Sequence, residues 1–253
     1  MTLSAILSDL AGWQVAAIVI GALVTSAIHG ATGLAGGFLL AAVLAPILGV
    51  KAVVPVMSVA LLISHGARAI LNLRDFDRGA FLWVIGPALP GLLLVSSLYA
   101  AIPAQALAGL LAAVILSSIP LRRWAARRRL RAGRGTLAGA GAVYGTLSGA
   151  TLGPGMLLVP ALLGTGMPKE AFVATLAAVA VVVNVIRISM FGATGVLEPG
   201  LLWLGLALGV LTVPGNWIGR AVLRRMTGGG HALWVDVLTV VGALNFLWLA
   251  LTA

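Results

Sequence analysis

Gly30 to Pro46 reads GATGLAGGFLLAAVLAP. The stretch lies inside a long apolar run, yet four of its first eight residues are glycine. Each glycine costs a helix about 1 kcal/mol against alanine, so a helix arriving here is expected to break. Inside a bilayer, broken backbone survives only where it is buried in protein or lines a cavity. The same device recurs 119 residues later, where Gly149 to Pro160 reads GATLGPGMLLVP. That single offset also pairs Gly36 with Gly155, Leu39 with Leu158, Ala52 with Ala171, Arg68 with Arg187 and Gly86 with Gly205. An ungapped correspondence over this distance points to a duplicated unit.

The composition places both units in a membrane. Of 253 residues, 61% are hydrophobic and 9% charged, against about 45–50% and about 25% in soluble domains. Three stretches of 41, 43 and 34 residues, at 10–50, 79–121 and 135–168, hold no Asp, Glu, Lys or Arg. Each exceeds the roughly 20 residues that cross a bilayer as a helix. The fold class expected is an all-α polytopic membrane protein. Cysteine is absent, which removes disulfides, thiolate metal sites and Fe–S clusters. With three His and six acidic residues, neither a metal site nor a cofactor is expected. The start lacks the basic n-region of a signal peptide, so residues 11–29 read as a retained first segment. Seven of the sixteen basic residues crowd into 122–134. In a membrane protein such a cluster is a topology signal that also meets anionic lipid; no nucleic-acid partner is expected.

Taken in order, residues 11–29 form a helix that breaks at 30–37, and Phe38–Gly49 is too short to span. Spans are expected at 52–73, 80–100, with kinks at Pro87 and Pro90, and 104–121. After the linker the plan repeats, with a lead at 136–148, a break at 151–155, a stub at 156–164, and spans at 170–192, 199–219 and 231–251. The domains are therefore a first repeat, 1–121, an Arg-rich cytoplasmic linker, 122–134, and a second repeat, 135–253. Three spans follow each returning hairpin, an odd number, so the repeats are inverted, a plan that secondary transporters use.

Inverted repeats bring the two breaks together near the midplane. The stub helices begin after Gly36-Gly37 and Gly153-Pro154-Gly155. Helix N-termini present unpaired N–H groups and partial positive charge, which suit an anion, and glycine lets it approach the backbone. Gly33, Gly36, Gly37, Gly153 and Gly155 are thus candidate substrate contacts, with close helix packing the rival explanation. Arg68 and Arg187 lie within apolar spans whose interiors contain no carboxylate to pair with them, so a ligand anion is one partner they could serve; snorkelling to an interface is the alternative. His65 and Asn184 stand three residues before them on the same helix face. Thr32 and Thr151 lie in the breaks, and His29 and Ser148 correspond just before them. They could hydrogen-bond an oxyanion, although Thr commonly bonds its own helix. No nucleophile triad, Walker sequence or metal-ligand spacing is visible, so no enzyme is expected.

The segment Gly30–Leu40, and Pro168-Lys169-Glu170-Ala171-Phe172-Val173-Ala174-Thr175 in the second half, resemble the TauE/SafE family of sulfite and organosulfonate exporters. The resemblance runs from about Ala22 to Leu249. The family often carries three consecutive glycines; here Ala35-Gly36-Gly37 and Gly153-Pro154-Gly155 stand instead, a departure that bears on the substrate. What the resemblance implies is anion transport, most often export, by a multi-pass protein of the bacterial cytoplasmic membrane. The function expected is secondary export of sulfite or an organosulfonate. An anion channel, or a carrier for another organic anion such as a carboxylate, are the alternatives. The partners expected are the small anion and membrane lipid, and a homodimer is an open arrangement.

Overall fold

A computed structural model describes residues 8, 10–32, 36–128, 131–223 and 228–252. Among the described residues the helices run, in order, α1 Gly12–Thr32, α2 Gly36–Leu48, α3 Val50–Leu71, α4 Arg78–Leu98, α5 Ala104–Arg128, α6 Arg134–Ser148, α7 Gly155–Leu163, α8 Lys169–Ala193, α9 Pro199–Leu223 and α10 Gly228–Thr252. Short 3-10 turns, Leu73–Asp75 and Tyr99–Ala101, precede α4 and α5. Five helical stretches, Gly12–His29, Val50–Leu71, Arg78–Ala101, Ala104–Leu121 and Lys169–Ala193, are long and apolar enough to cross a membrane. The chain is an all-helical, multi-pass membrane protein.

The stubs form as the glycine spacing predicts: α2 has 13 residues and α7 nine, both short of a span. Gly49, between α2 and α3, and Gly153, before α7, sit at φ +80° and +87°, a region that favours glycine. Two expectations change. The first break is narrower than 30–37, because α1 runs on through Thr32 and α2 starts at Gly36; residues 33–35 lie outside the described residues. The stretch 122–134 is not a loop from its start, because α5 continues to Arg128. Leu, Ala and Arg are strong helix formers, and once the chain leaves the bilayer nothing in Leu121–Arg128 stops the helix. Pro87 and Pro90 lie inside α4.

Packing is reciprocal between the halves. α1 packs on α9 while α6 packs on α4, α10 covers α2 while α5 covers α7, and α3 meets α8 in the middle. Under the 119-residue offset each of the first two pairs exchanges its members. Small residues let these backbones approach. A Cβ on Gly141 or Gly145 of α6 would run into the carbonyls of Val84 and Ala88 on α4; one on Gly215 of α9 would meet Ser26 and the Leu23 carbonyl on α1. The buried core has one cluster around Phe38, Leu44, Met57, Leu107, Tyr99 and Phe191, and a second around Val84, Leu92, Tyr144, Leu158 and Val183. Trp13, Trp83, Trp124, Trp203, Trp217 and Trp248 are exposed, as interface anchors should be.

Candidate functional site

Where α3 meets α8, the core gives way to a cavity of about 850 Å³. Asp77, the N-cap of α4, donates its N–H to Thr175 Oγ1 at 3.1 Å. That bond sets the turn after α3 beside the first turns of α8, so the two helices run in opposite directions along the cavity wall. The exposed lining residues Leu71, Lys169, Glu170 and Trp217 mark its mouth. The buried lining residues Ser148, Leu152, Asn184 and Arg187 mark its inner end. Lys169 and Arg187 both line it, and their eighteen-residue separation in one helix amounts to about 27 Å.

Polar groups without partners line the cavity, His29 toward His65 and Arg68, the others toward its inner end. Arg187 is 3% exposed, and its Nε and Nη2 make no hydrogen bond. Its guanidinium carbon lies 5.8 Å from the centre of the Phe191 ring. Asn184 donates from Nδ2 to the Ala180 carbonyl at 2.9 Å, which fixes its amide and leaves Oδ1 free. Both ring nitrogens of His29 are likewise buried and unpartnered, and Ser148 Oγ has only the nearby Tyr144 hydroxyl, without a hydrogen bond of good geometry. Most buried polar atoms in proteins are satisfied, and each orphan costs about 1–3 kcal/mol. His29, Ser148, Asn184 and Arg187 all line this one cavity. The set supplies a cationic donor, the Ser148 hydroxyl and the His29 imidazole, which can each donate or accept, and a fixed acceptor, Asn184 Oδ1, in a site walled by apolar side chains.

Of the residues expected from sequence, His29, Gly37, His65, Arg68, Gly153, Gly155, Asn184 and Arg187 line the cavity. A Cβ on Gly155 would find open space. Gly36 does not line the cavity; it is buried where a Cβ would strike His29 Cβ and the Thr25 carbonyl, so close packing accounts for it. Thr151 is fully buried away from the cavity lining, and its hydroxyl donates to the Leu147 carbonyl at 2.7 Å. Gly33 and the side chain of Thr32 lie outside the described residues.

The helix-end argument is weaker than the sequence suggests. At α7, the N–H of Met156 donates to the Gly153 carbonyl at 3.1 Å and that of Leu157 to Pro154 at 2.8 Å. Two amides expected to face an anion are thus committed, and the side chains carry more of the site. Tyr144, Ser64, Asn72, Lys169 and Glu170 also line the cavity and were not singled out by sequence. Tyr144 stands four residues before Ser148, on the same face of α6, and that spacing was the available signal. Among the described residues no cluster of His, Cys, Asp or Glu could hold a metal ion.

The two arginines, equivalent by sequence, sit at different depths. Arg68 lies four residues before Asn72, near the mouth, and is half-buried; Arg187 lies at the inner end. Beyond Arg187, away from the mouth, Phe191 and Tyr99 are fully buried with ring centres 4.8 Å apart.

No curated protein and no solved structure shows significant similarity to this chain. The family model "Sulfite exporter TauE/SafE" matches residues 17–246, so this multi-pass chain, with its buried cationic cavity, belongs to the TauE/SafE family of membrane transporters.

Proposed function

We propose that the protein is a secondary carrier that exports a small sulfur-containing oxyanion, sulfite or an organosulfonate, from the bacterial cytoplasm. The observation that carries this reading is the convergence of His29, Ser148, Asn184 and Arg187, all buried with unmet polar atoms, on one cavity. Arg187 offers two N–H groups that suit charge-assisted bonds to an oxyanion. Asn184 Oδ1 offers an acceptor that suits a protonated oxyanion or a substituent hydroxyl or amine. The family match supports transport.

The mouth faces the cytoplasm in this reading. Arg74, Arg78, the seven arginines of 122–134, Lys169, Arg220, Arg224 and Arg225 all fall in segments that three spans per half bring to the mouth side, as the positive-inside rule requires. The far side keeps Lys51. Reciprocal packing of α1 on α9 and α6 on α4 supports inverted repeats. A reporter fused within 127–131 is expected in the cytoplasm and one at the C-terminus outside; both on one side would remove the inverted plan.

With the cytoplasm negative, one exported negative charge gains about 2.3 kcal/mol per 100 mV, close to a fiftyfold gradient. The test has two arms. Purified protein is screened by thermal shift against sulfite, sulfate, thiosulfate, sulfonates and carboxylates, since a ligand of the native state raises stability. Loaded proteoliposomes then receive an imposed potential. Stabilisation by a sulfur oxyanion and saturable, potential-accelerated efflux are expected. Stabilisation by carboxylates alone transfers the reading to an organic-acid carrier, linear unsaturable flux to a channel, and no flux removes transport of these anions.

A further inference from the structure

Beyond Arg187, one turn further along α8 and behind the cavity lining, lie residues that the transport reading leaves unused. Tyr99, in the 3-10 turn between α4 and α5, is fully buried against Phe191 of α8 at 4.8 Å between ring centres. Its hydroxyl donates to the Lys51 carbonyl at 3.1 Å, at the start of α3. Lys51 Nζ donates in return to the Ala100 carbonyl at 3.0 Å. Two hydrogen bonds therefore tie the first turn of α3 to the α4–α5 corner, directly behind the aromatic pair. Phe191 also stacks one turn from Arg187, whose guanidinium carbon lies 5.8 Å from the Phe191 ring centre. A continuous chain of contacts thus runs from the anion site to the far face.

The repeat offset gives this floor a counterpart. It carries Phe191 to Asn72, Lys51 to Glu170 and Tyr99 to Ile218, the neighbour of Trp217. Asn72, Glu170 and Trp217 line the open mouth. Two of the three far-end residues, Phe191 and Lys51, thus have repeat equivalents, Asn72 and Glu170, that line the open mouth, and the equivalent of Tyr99 adjoins a third lining residue, Trp217. In a chain of two inverted repeats, exchanging the conformations of the halves closes the mouth and opens the floor.

We infer that Tyr99, Phe191 and Lys51 form the outer gate of this carrier, with the Tyr99–Lys51 hydrogen bond as its latch, and that a second state opens to the far face when that bond breaks. An anion that engages Arg187 draws on the guanidinium that stacks on Phe191, so occupancy of the site and closure of the gate share one side chain. The inference rests on the carrier reading and adds to it which residues hold the far end shut.

The chain has no cysteine, which makes sided labelling direct. Ala180, which lines the cavity, is replaced in Ala180→Cys, and its reaction with a membrane-impermeant maleimide is timed from each face in right-side-out and inside-out vesicles. Tyr99→Phe, in the same background, removes the latch and keeps the ring. Far-side labelling is expected to rise about fivefold, the population shift that one lost neutral hydrogen bond supports, while mouth-side labelling stays dominant in the parent. Lys51→Met, which keeps the Lys51 carbonyl but removes the returning bond, is expected to raise it by less. Far-side labelling that both variants leave unchanged overturns the gate. Thermal shift with sulfite and a sulfonate is read on the same proteins: if the anion still stabilises them while labelling is unchanged, the gate alone falls, and if no anion stabilises any of them, the transport reading falls with it.

Discussion

Arg68 and Arg187 are one residue type at one repeat offset, yet they live in different surroundings. Arg68 stands one turn from the mouth, half-buried among Asn72, Leu71 and His65. Arg187 is buried at the inner end with two nitrogens unpartnered. Sequence symmetry is therefore not a symmetry of environment. α3 and α8 run in opposite directions along a cavity with one mouth, so the equivalent positions lie at different depths, and Arg187 is the drier of the two. A charge in a dry site interacts far more strongly than one screened by water. In the proposed carrier the difference gives the two arginines different parts: Arg68 would gather an anion near the mouth, and Arg187 would hold it.

The largest expected effect breaks or sustains this contrast directly. Arg187→Gln is expected to lower anion affinity by about 10- to 100-fold, the range of a lost hydrogen bond to a charged group, read as loss of anion-dependent thermal stabilisation. Arg187→Lys should recover only part, because a point charge does not reproduce the planar fork. Arg68→Gln should cost a few-fold and mainly slow uptake into the cavity at low salt. An Arg68 variant as damaging as the Arg187 variant would show that depth does not separate the two.

The glycines sharpen the same comparison between a packed and an open half. Gly36→Ala drives a Cβ into His29 and the Thr25 carbonyl, and overpacking of this kind costs about 1–3 kcal/mol. Lower yield and a lower melting temperature are expected without any ligand. Gly155→Ala meets open space; it should fold as the parent does and weaken anion binding instead. If the two variants behave alike in both assays, the division between packing and site glycines is lost.

Smaller effects are expected at neutral groups. Asn184→Leu removes a fixed acceptor among the inner polar residues and should cost about 3- to 10-fold in affinity, a neutral hydrogen bond's range. The loss should fall mainly on substrates that carry a donor, such as a protonated or hydroxylated anion, so a series with and without the donor measures it. Thr151→Val is expected to leave affinity within about twofold, since the hydroxyl serves its own helix and such back-bonding contributes little. A larger loss at Thr151 would put the second break back into the anion site.

Part of this molecule was written in the order of its residues. The absence of charge over more than thirty residues at a time fixed membrane insertion, because an apolar helix has no other stable place. The glycine clusters fixed two breaks with stub helices, because local backbone preference acts within a turn or two. The shared offset picked out His65, Arg68, Asn184 and Arg187, all of which line the cavity. Other features depended on which helix lies beside which. Gly36 and Gly155 are equivalents in sequence, and only the approach of α1 to α2 makes the first a packing residue. Tyr144 joins the cavity because α6 turns that face toward α8, and Thr151 misses it because its helix ends facing the core. The committed amides of α7 follow from the turn that Gly153 makes. Above all, the depth difference between the two arginines is absent from any local pattern. It arises from the antiparallel placement of α3 and α8 across a cavity with one mouth, and only the packing of distant segments sets that.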